Sequence, residues 1–159
     1  MTKRPTNVEV VRFAAQYAQA FAALNREWIE TYFEIEDEDL KMIEHPQEYV
    51  LDGGGEIFTA LVDSEPVGTV AMVKSDATTF ELAKMAVAPA AQGSGISHLL
   101  MDACIDFARS AGALEIFLIT NDILAPAMGL YLKSGFVRQP QNNDQRYARG
   151  NTEMRLSLV

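Results

Sequence analysis

A mixed β-sheet covered by helices, an α+β (mixed α/β) fold, is what this sequence predicts, and three observations predict it. Two apolar runs separated by a short turn, "IFTALVD" (57–63) and "VGTVAMV" (67–73), read as an antiparallel hairpin. A strand-like run at 79–87, a helical stripe from Ile96 and a β-branched run at 114–120 read as a strand–helix–strand crossover, which makes two strands parallel. The 159 residues hold no internal repeat and no low-complexity tract. At ~100–200 residues per domain that is a single domain, 1–159.

Each element has its own signal. "VEVVRF" (8–13) is valine-rich and opens the chain with a strand. Tyr17, Phe21, Leu24, Trp28 and Tyr32 then recur at steps of three and four, the apolar face of a helix. "EDEDLKMIEH" (36–45) is a second, short helix. Its acids crowd the first turn, where they suit the dipole, and Pro46 ends it. "DGGGE" (52–56) is a loop, and the hairpin follows. "TFELAKMAV" (79–87) is the third strand of this block and stops at Ala88-Pro89. Ile96, Leu99, Leu100, Ala103, Phe107 and Ala111 mark a helix that ends at Gly112. "LEIFLIT" (114–120) is a buried strand. "PAMGLYLKS" (126–134) is a helix with Pro126 in its first turn and Gly135 just past its end. "FVRQ" (136–139) is a strand, 139–145 a polar loop, and the alternating "TEMRLSLV" (152–159) closes the sheet.

Composition narrows the function classes. The formal charge of −9 argues against nucleic acid, whose binding rests on Lys and Arg contacts to phosphate. It suits either steering of cationic partners or plain solubility. No apolar run reaches the roughly 20 residues that span a bilayer. The start, with Lys3 and Arg4, has no apolar core of a signal peptide, so the expected compartment is the cytoplasm. Cys104 is the sole cysteine and sits in a helical apolar stripe, which predicts an inert buried thiol. His45 and His98 have no carboxylate at metal-ligand spacing, so no metal is expected.

The stretch "AQGSGISH" (91–98) places two glycines between a strand and a helix. Helix N-termini carry N–H groups without intrahelical partners and partial positive charge. Glycine lets a bulky anion reach such a backbone. The residues alone read either as a phosphate cradle over Gln92–Ser97 or as a tight turn feeding a helix. The Lys and Ser/Thr of a Walker loop are missing, as is the spacing of a dinucleotide fold.

The flanking residues resemble the GNAT superfamily of acetyl-CoA-dependent N-acetyltransferases. Val87-Ala88-Pro89 is similar to that family's Val-x-Pro, and Gln92-Gly93-Ser94-Gly95-Ile96-Ser97 to its [Gln/Arg]-x-x-Gly-x-[Gly/Ala]. Downstream, Ala127, Leu130, Tyr131, Lys133, Gly135 and Phe136 match a second motif in register. The resemblance covers 57–138 closely. Gln92 stands where Arg is commoner, and Ser97 where Gly or Ala is usual. The family's Asn seven residues before the tyrosine is Leu124, with Asn121 nearby.

The resemblance implies a mostly antiparallel sheet of six to seven strands with a central parallel pair and about four helices. It implies acetyl-CoA in a cleft where strands 79–87 and 114–120 splay. Its diphosphate would lie on the 92–97 backbone and its pantetheine arm along Met85, Ala86 and Val87, with Asn121 at the strand end. Tyr131 is the candidate general acid for the leaving thiolate, and the N–H of Met85 the candidate oxyanion donor. Glu81 is the candidate base; by the two-residue strand period it shares a face with Val87, and Lys84 points away. Trp28, Tyr32, Phe33 and Tyr49 are candidates for the acceptor pocket or for plain core packing. The acids at 34–39 read either as a draw for a cationic acceptor or as a solvated helix surface. The expected reaction is acetyl transfer to a primary amine of a small molecule, with a non-catalytic acyl-CoA-binding module or a protein acetyltransferase as alternatives. A homodimer is a common family assembly.

Overall fold

The hairpin and the crossover predicted from sequence combine into one sheet. The computed structural model describes residues 7–159; the N-terminal stretch with Lys3 and Arg4, read above as lacking a signal peptide, lies outside the described residues. Among the described residues the strand order is β1-β2-β3-β4-β5-β7-β6. β1 (Val8–Arg12), β2 (Glu56–Val62), β3 (Glu65–Asp76) and β4 (Thr79–Val87) run antiparallel in succession. β5 (Glu115–Thr120) lies parallel to β4. β7 (Thr152–Ser157) and the two-residue β6 (Val137–Arg138) complete the sheet antiparallel. The helices are α1 (Ala18–Tyr32), α2 (Asp37–Glu44), α3 (Ile96–Ser110) and α4 (Ala125–Lys133). Among the described residues no helix is long and apolar enough to cross a membrane.

Strand alternation sends neighbouring side chains into two cores. Phe58, Met72, Leu82, Leu100, Cys104, Ile116 and Met154 pack in the larger core beneath α3. Ile57, Ala71, Phe21, Ile43 and Val50 pack in the other, on the α1–α2 side. Cys104 is fully buried, and loss of water pushes its thiol pKa up, so it stays protonated and inert.

Two local expectations change. The buried residues of α1 are Phe21, Asn25 and Ile29, so of the predicted Tyr17–Phe21–Leu24–Trp28–Tyr32 stripe only Phe21 is fully buried. Asn25 tolerates burial because its amide donates to the Phe21 carbonyl at 2.9 Å. Trp28 and Tyr32 lie one step round the helix, their rings 5.2 Å apart. After α2, Pro46 does not simply stop the helix. Its φ of −64° suits a helical start, and a further wide helical turn runs through Gln47–Leu51, burying Val50.

The third change concerns β4 and bears on function. Ala83 pairs with Ala71 and Ala86 with Thr69, so Lys84 and Met85 together oppose a single residue, a β-bulge. Lys84 takes φ +57°, the left-handed region. The bulge resets the two-residue alternation. Phe80, Leu82, Met85 and Val87 all pack toward the α3 core, whereas Ala83 packs toward α1 and Lys84 reaches Asp39 on α2. Glu81 and Val87 therefore face opposite sides, and Lys84 lies on the side of Glu81. Both expectations drawn from an unbroken strand period are overturned. Beyond Glu81, paired with Phe117, the β4–β5 register ends and the strands part.

Gly68 lets α3 close onto β3. A Cβ there would lie 2.9 Å from Ile96 Cγ2 and 3.2 Å from Leu100 Cδ1. Gly68→Val should destabilise the fold by roughly 1–3 kcal/mol through overpacking. The urea midpoint should fall with an unchanged slope; a wild-type midpoint would show slack between α3 and the sheet.

Candidate active site

Where β4 and β5 part, two cavities open. The larger, about 530 Å³, runs between the end of β4, the 91–98 turn and α4. The smaller, about 90 Å³, lies among α1, β4, β5 and the loop preceding β7. Trp28, Met85, Leu124 and Tyr131 line both, so the cavities meet at these four side chains.

The glycine turn forms one wall of the larger cavity. Gly93 and Gly95 have φ of +78° and +86°, where a Cβ would strain the chain. Gly95 is the N-cap of α3, and the first N–H to find a helical acceptor is that of Leu99, on the Gly95 carbonyl. The N–H groups from Gly93 to His98 have no acceptor among the described residues. The turn is braced from within. Gln92 Nε2 donates to the Val87 carbonyl at 3.1 Å, and the Ser94 hydroxyl donates to the Ala91 carbonyl. Gln92, Gly93, Gly95, Ile96, Ser97 and Val87 line the larger cavity; Ser94 and Ala86 are buried behind it.

Tyr131 projects from α4 to the junction. It is 9% exposed, and burial pushes its phenol pKa up to about 12. Its hydroxyl has no hydrogen-bond partner among the described residues, and a phenol in this setting remains protonated at neutral pH.

The smaller cavity is bounded by ion pairs that sequence reasoning missed. Asp39, fully buried, accepts from Nη1 and Nη2 of Arg149, at 2.8 and 2.6 Å, and from Lys84 Nζ at 2.8 Å. Glu36 accepts from Arg149 Nη1 at 3.0 Å and from the Ala148 N–H at 2.8 Å. Lys84 also donates to the Tyr147 hydroxyl at 3.0 Å. Burial works against the Asp39 charge, but Arg149 and Lys84 outweigh it and hold the carboxyl pKa down at about 2. Glu81 accepts from Arg146 Nη2 at 2.6 Å through Oε2, and its other oxygen takes no bond from the described residues. Of the acids at 34–39, Glu36 and Asp39 thus clasp the chain's own cations, while Glu34 and Asp37 are exposed on the solvated surface. The signal for these partners was "QRYARG" (145–150), two arginines flanking a tyrosine in a strongly acidic chain.

The acceptor candidates separate. Trp28 and Phe33 line the smaller cavity. Tyr32 lines only the larger, and Tyr49, 42% exposed against His45, lines neither. Tyr49 sits on the helical turn the sequence reading lacked, which carries it to the surface. Asn121 lines the smaller cavity, where its amide donates to the Arg149 carbonyl at 2.8 Å and its oxygen accepts from Ile123.

Comparison with known proteins adds the family. The acetyltransferase (GNAT) family model matches residues 19–136. An uncharacterized N-acetyltransferase of Mycobacterium bovis is 33% identical over 89 residues, 56% of this chain and 57% of that protein. Human N-acetyltransferase 8B is 31% identical over 106 residues, 64% of this chain and 47% of that protein. The matches thus span about half the length of these curated relatives. A GNAT-family acetyltransferase structure from Staphylococcus aureus superposes with a TM-score of 0.87 at 19% identity, over 96% of this chain and all of that one. A Salmonella typhimurium structure containing its cofactor acetyl-CoA gives 0.77 at 17% identity, over 96% and 94% of the two chains. Spermidine N-acetyltransferase from Vibrio cholerae, in complex with CoA and spermine, gives 0.73 at 17% identity, over 94% and 95%. At such identities these likenesses establish the fold.

The Asp39 cluster sets an acid limit on stability. Its folded pKa lies below the ordinary 3.8, so the pair stabilises the protein above about pH 4 and loses that contribution as pH falls toward 2. Asp39→Asn should cost roughly 3–5 kcal/mol at neutral pH, since it leaves two buried cations under-paired. It should also flatten the fall of the urea midpoint in that acid window. A variant that kept the wild-type acid slope would remove Asp39 from the transition.

Proposed function

The chain belongs to the acetyltransferase (GNAT) family, and we propose that it is an N-acetyltransferase moving the acetyl group of acetyl-CoA directly to a primary amine of a small molecule. The observation that carries this reading is the meeting of two cavities at Met85 and Tyr131. One has a wall of unpartnered amides and the other a buried carboxylate.

The larger cavity suits the donor. Free N–H groups from Gly93 to His98, with Ser97 small beside them, match the acceptor oxygens of a diphosphate. The match explains how an acidic chain holds an anion: the positive potential is local and made by backbone. Bound there, acetyl-CoA supplies an activated acetyl group on sulfur. Met85 is the second residue of the bulge and borders both cavities, and its N–H is assigned to the carbonyl oxygen that gains charge in the transition state. Tyr131, buried and protonated, is assigned the proton that the departing sulfur requires. As the N–C bond forms and the C–S bond breaks, the amine loses a proton on the side of Glu81. The Glu81 oxygen not taken by Arg146 is assigned to accept it, directly or through water.

The smaller cavity suits a small acceptor. The loop before β7 is tied across it by Arg146 to Glu81, Arg149 to Asp39, and Ala148 to Glu36. A peptide would need an open groove at this point, so the tied loop favours a small-molecule amine over a protein. The test is release of free thiol from acetyl-CoA with a panel of primary amines. Acetyl-CoA binding by calorimetry without thiol release from any amine or peptide would instead identify a non-catalytic acyl-CoA module.

Two variants separate the assignments. Tyr131→Phe should lower turnover ~10²-fold or more while leaving donor affinity near wild type; unchanged turnover would remove the acid role. Ser97→Glu puts an acid on the first turn of α3 without straining a glycine, and should weaken acetyl-CoA roughly tenfold or more by calorimetry. Wild-type affinity would place the diphosphate elsewhere.

A further inference from the structure

We infer that Arg146 is a specificity-determining residue whose guanidinium stands on Glu81 as an internal substitute for the acceptor's ammonium group. The inference rests on the reading of the smaller cavity as the acceptor site.

Arg146 has two acids within reach and is held unequally by them. Its Nε donates to both oxygens of Asp144 at 3.0 Å, and its Nη2 lies 2.8 Å from Asp144 Oδ2. Its backbone N–H donates to the same carboxylate at 3.0 Å. Glu81 receives one bond, at 2.6 Å, from the shared Nη2. Arg146 can therefore leave Glu81 and keep a charged partner on its own loop. Its side chain is 36% exposed, so water can take up the freed donor.

Glu81 has no such reserve. Its side chain is 8% exposed, and the nearby cations Lys84 and Arg149 are both committed to Asp39. Releasing Arg146 with nothing in its place leaves an uncompensated buried charge, which is strongly unfavourable. The exchange is favourable only when another cation enters. A protonated alkylamine satisfies that condition; a neutral amine or a hydroxyl compound does not. Arg146 thus makes occupation of the site conditional on acceptor charge, and Asp144 sets how readily the guanidinium yields.

The test uses the full chain and two variants expected to act in opposite directions. Arg146→Ala should lower KM for an alkylamine by about tenfold, the worth of one charge-assisted contact, and leave KM for neutral aniline unchanged. Asp144→Asn keeps the acceptor for the Arg146 N–H but removes the competing charge, so KM for the alkylamine should rise. Ethylguanidinium should bind Arg146→Ala by calorimetry and compete there with the amine. It should not bind the wild type or the Arg146→Ala/Glu81→Gln double variant. A rise of KM in both single variants, or no ethylguanidinium binding to Arg146→Ala, overturns the inference and leaves a merely structural ion pair. Absence of thiol release with every amine in every protein overturns acetyl transfer itself, while ethylguanidinium binding still decides the role of Arg146.

Discussion

One carboxylate without access to water organises this cleft. Asp39 sits on α2, yet its partners come from β4 and from the loop before β7. Lys84 occupies a left-handed conformation that an ordinary side chain avoids at a cost on the order of 1–3 kcal/mol. Such a residue persists when its surroundings hold it, and here its ammonium is held by Asp39 and by the Tyr147 hydroxyl. The bulge thus anchored turns Met85 toward the junction of the two cavities. The same carboxylate grips Arg149 in bidentate fashion and fixes the loop that closes the smaller cavity. Its removal would disturb the strand, the helix and the loop together.

The two cavities use opposite electrostatic devices. Facing the larger, the chain offers main-chain donors at the tip of α3, which bring partial positive charge locally within a chain of net charge −9. Around the smaller, full charges are present but matched in pairs: Asp39 with Lys84 and Arg149, Glu81 and Asp144 with Arg146. Aromatic faces are drawn into the same network, since Tyr147 carries the cations of Lys84, Arg146 and Arg149 within 6 Å of its ring. Between the two regions lies Tyr131, dry enough to keep its proton.

The arrangement gives each region a distinct tolerance to change. The cradle depends on backbone shape, so its residues matter mainly for what they lack in side chain. The paired cluster depends on stoichiometry, because removing Asp39 strips Lys84 of its carboxylate partner and removing Arg146 leaves Glu81 buried and uncompensated. Arg146 and Arg149 each reach a second acid, Asp144 and Glu36, and of the two Arg146 is the one that meets Glu81.

The order of strands and helices, the hairpin, the crossover and the glycine turn were all legible in the sequence, because each rests on interactions among residues a few positions apart. Periodicity, turn chemistry and helix ends are local, and so are the two motifs that carry the family resemblance. What failed were statements extended along an element without a third dimension. Glu81 and Val87 share a face only if β4 alternates without interruption, and a bulge anchored 45 residues away by Asp39 breaks that rule. The stripe on α1 shifted by one residue because Trp28 and Tyr32 border a cavity formed by the end of β4, the 91–98 turn and α4, all distant in sequence. Arg146 and Arg149 stand out locally beside Tyr147, but Glu81 and Asp39 lie 65 and 110 residues away from them, and no local pattern names those partners. The sequence by itself determined the elements, their order and the backbone cradle; only the tertiary structure decided which charges pair, since ion pairing depends on distance in space and the chain records distance only along itself.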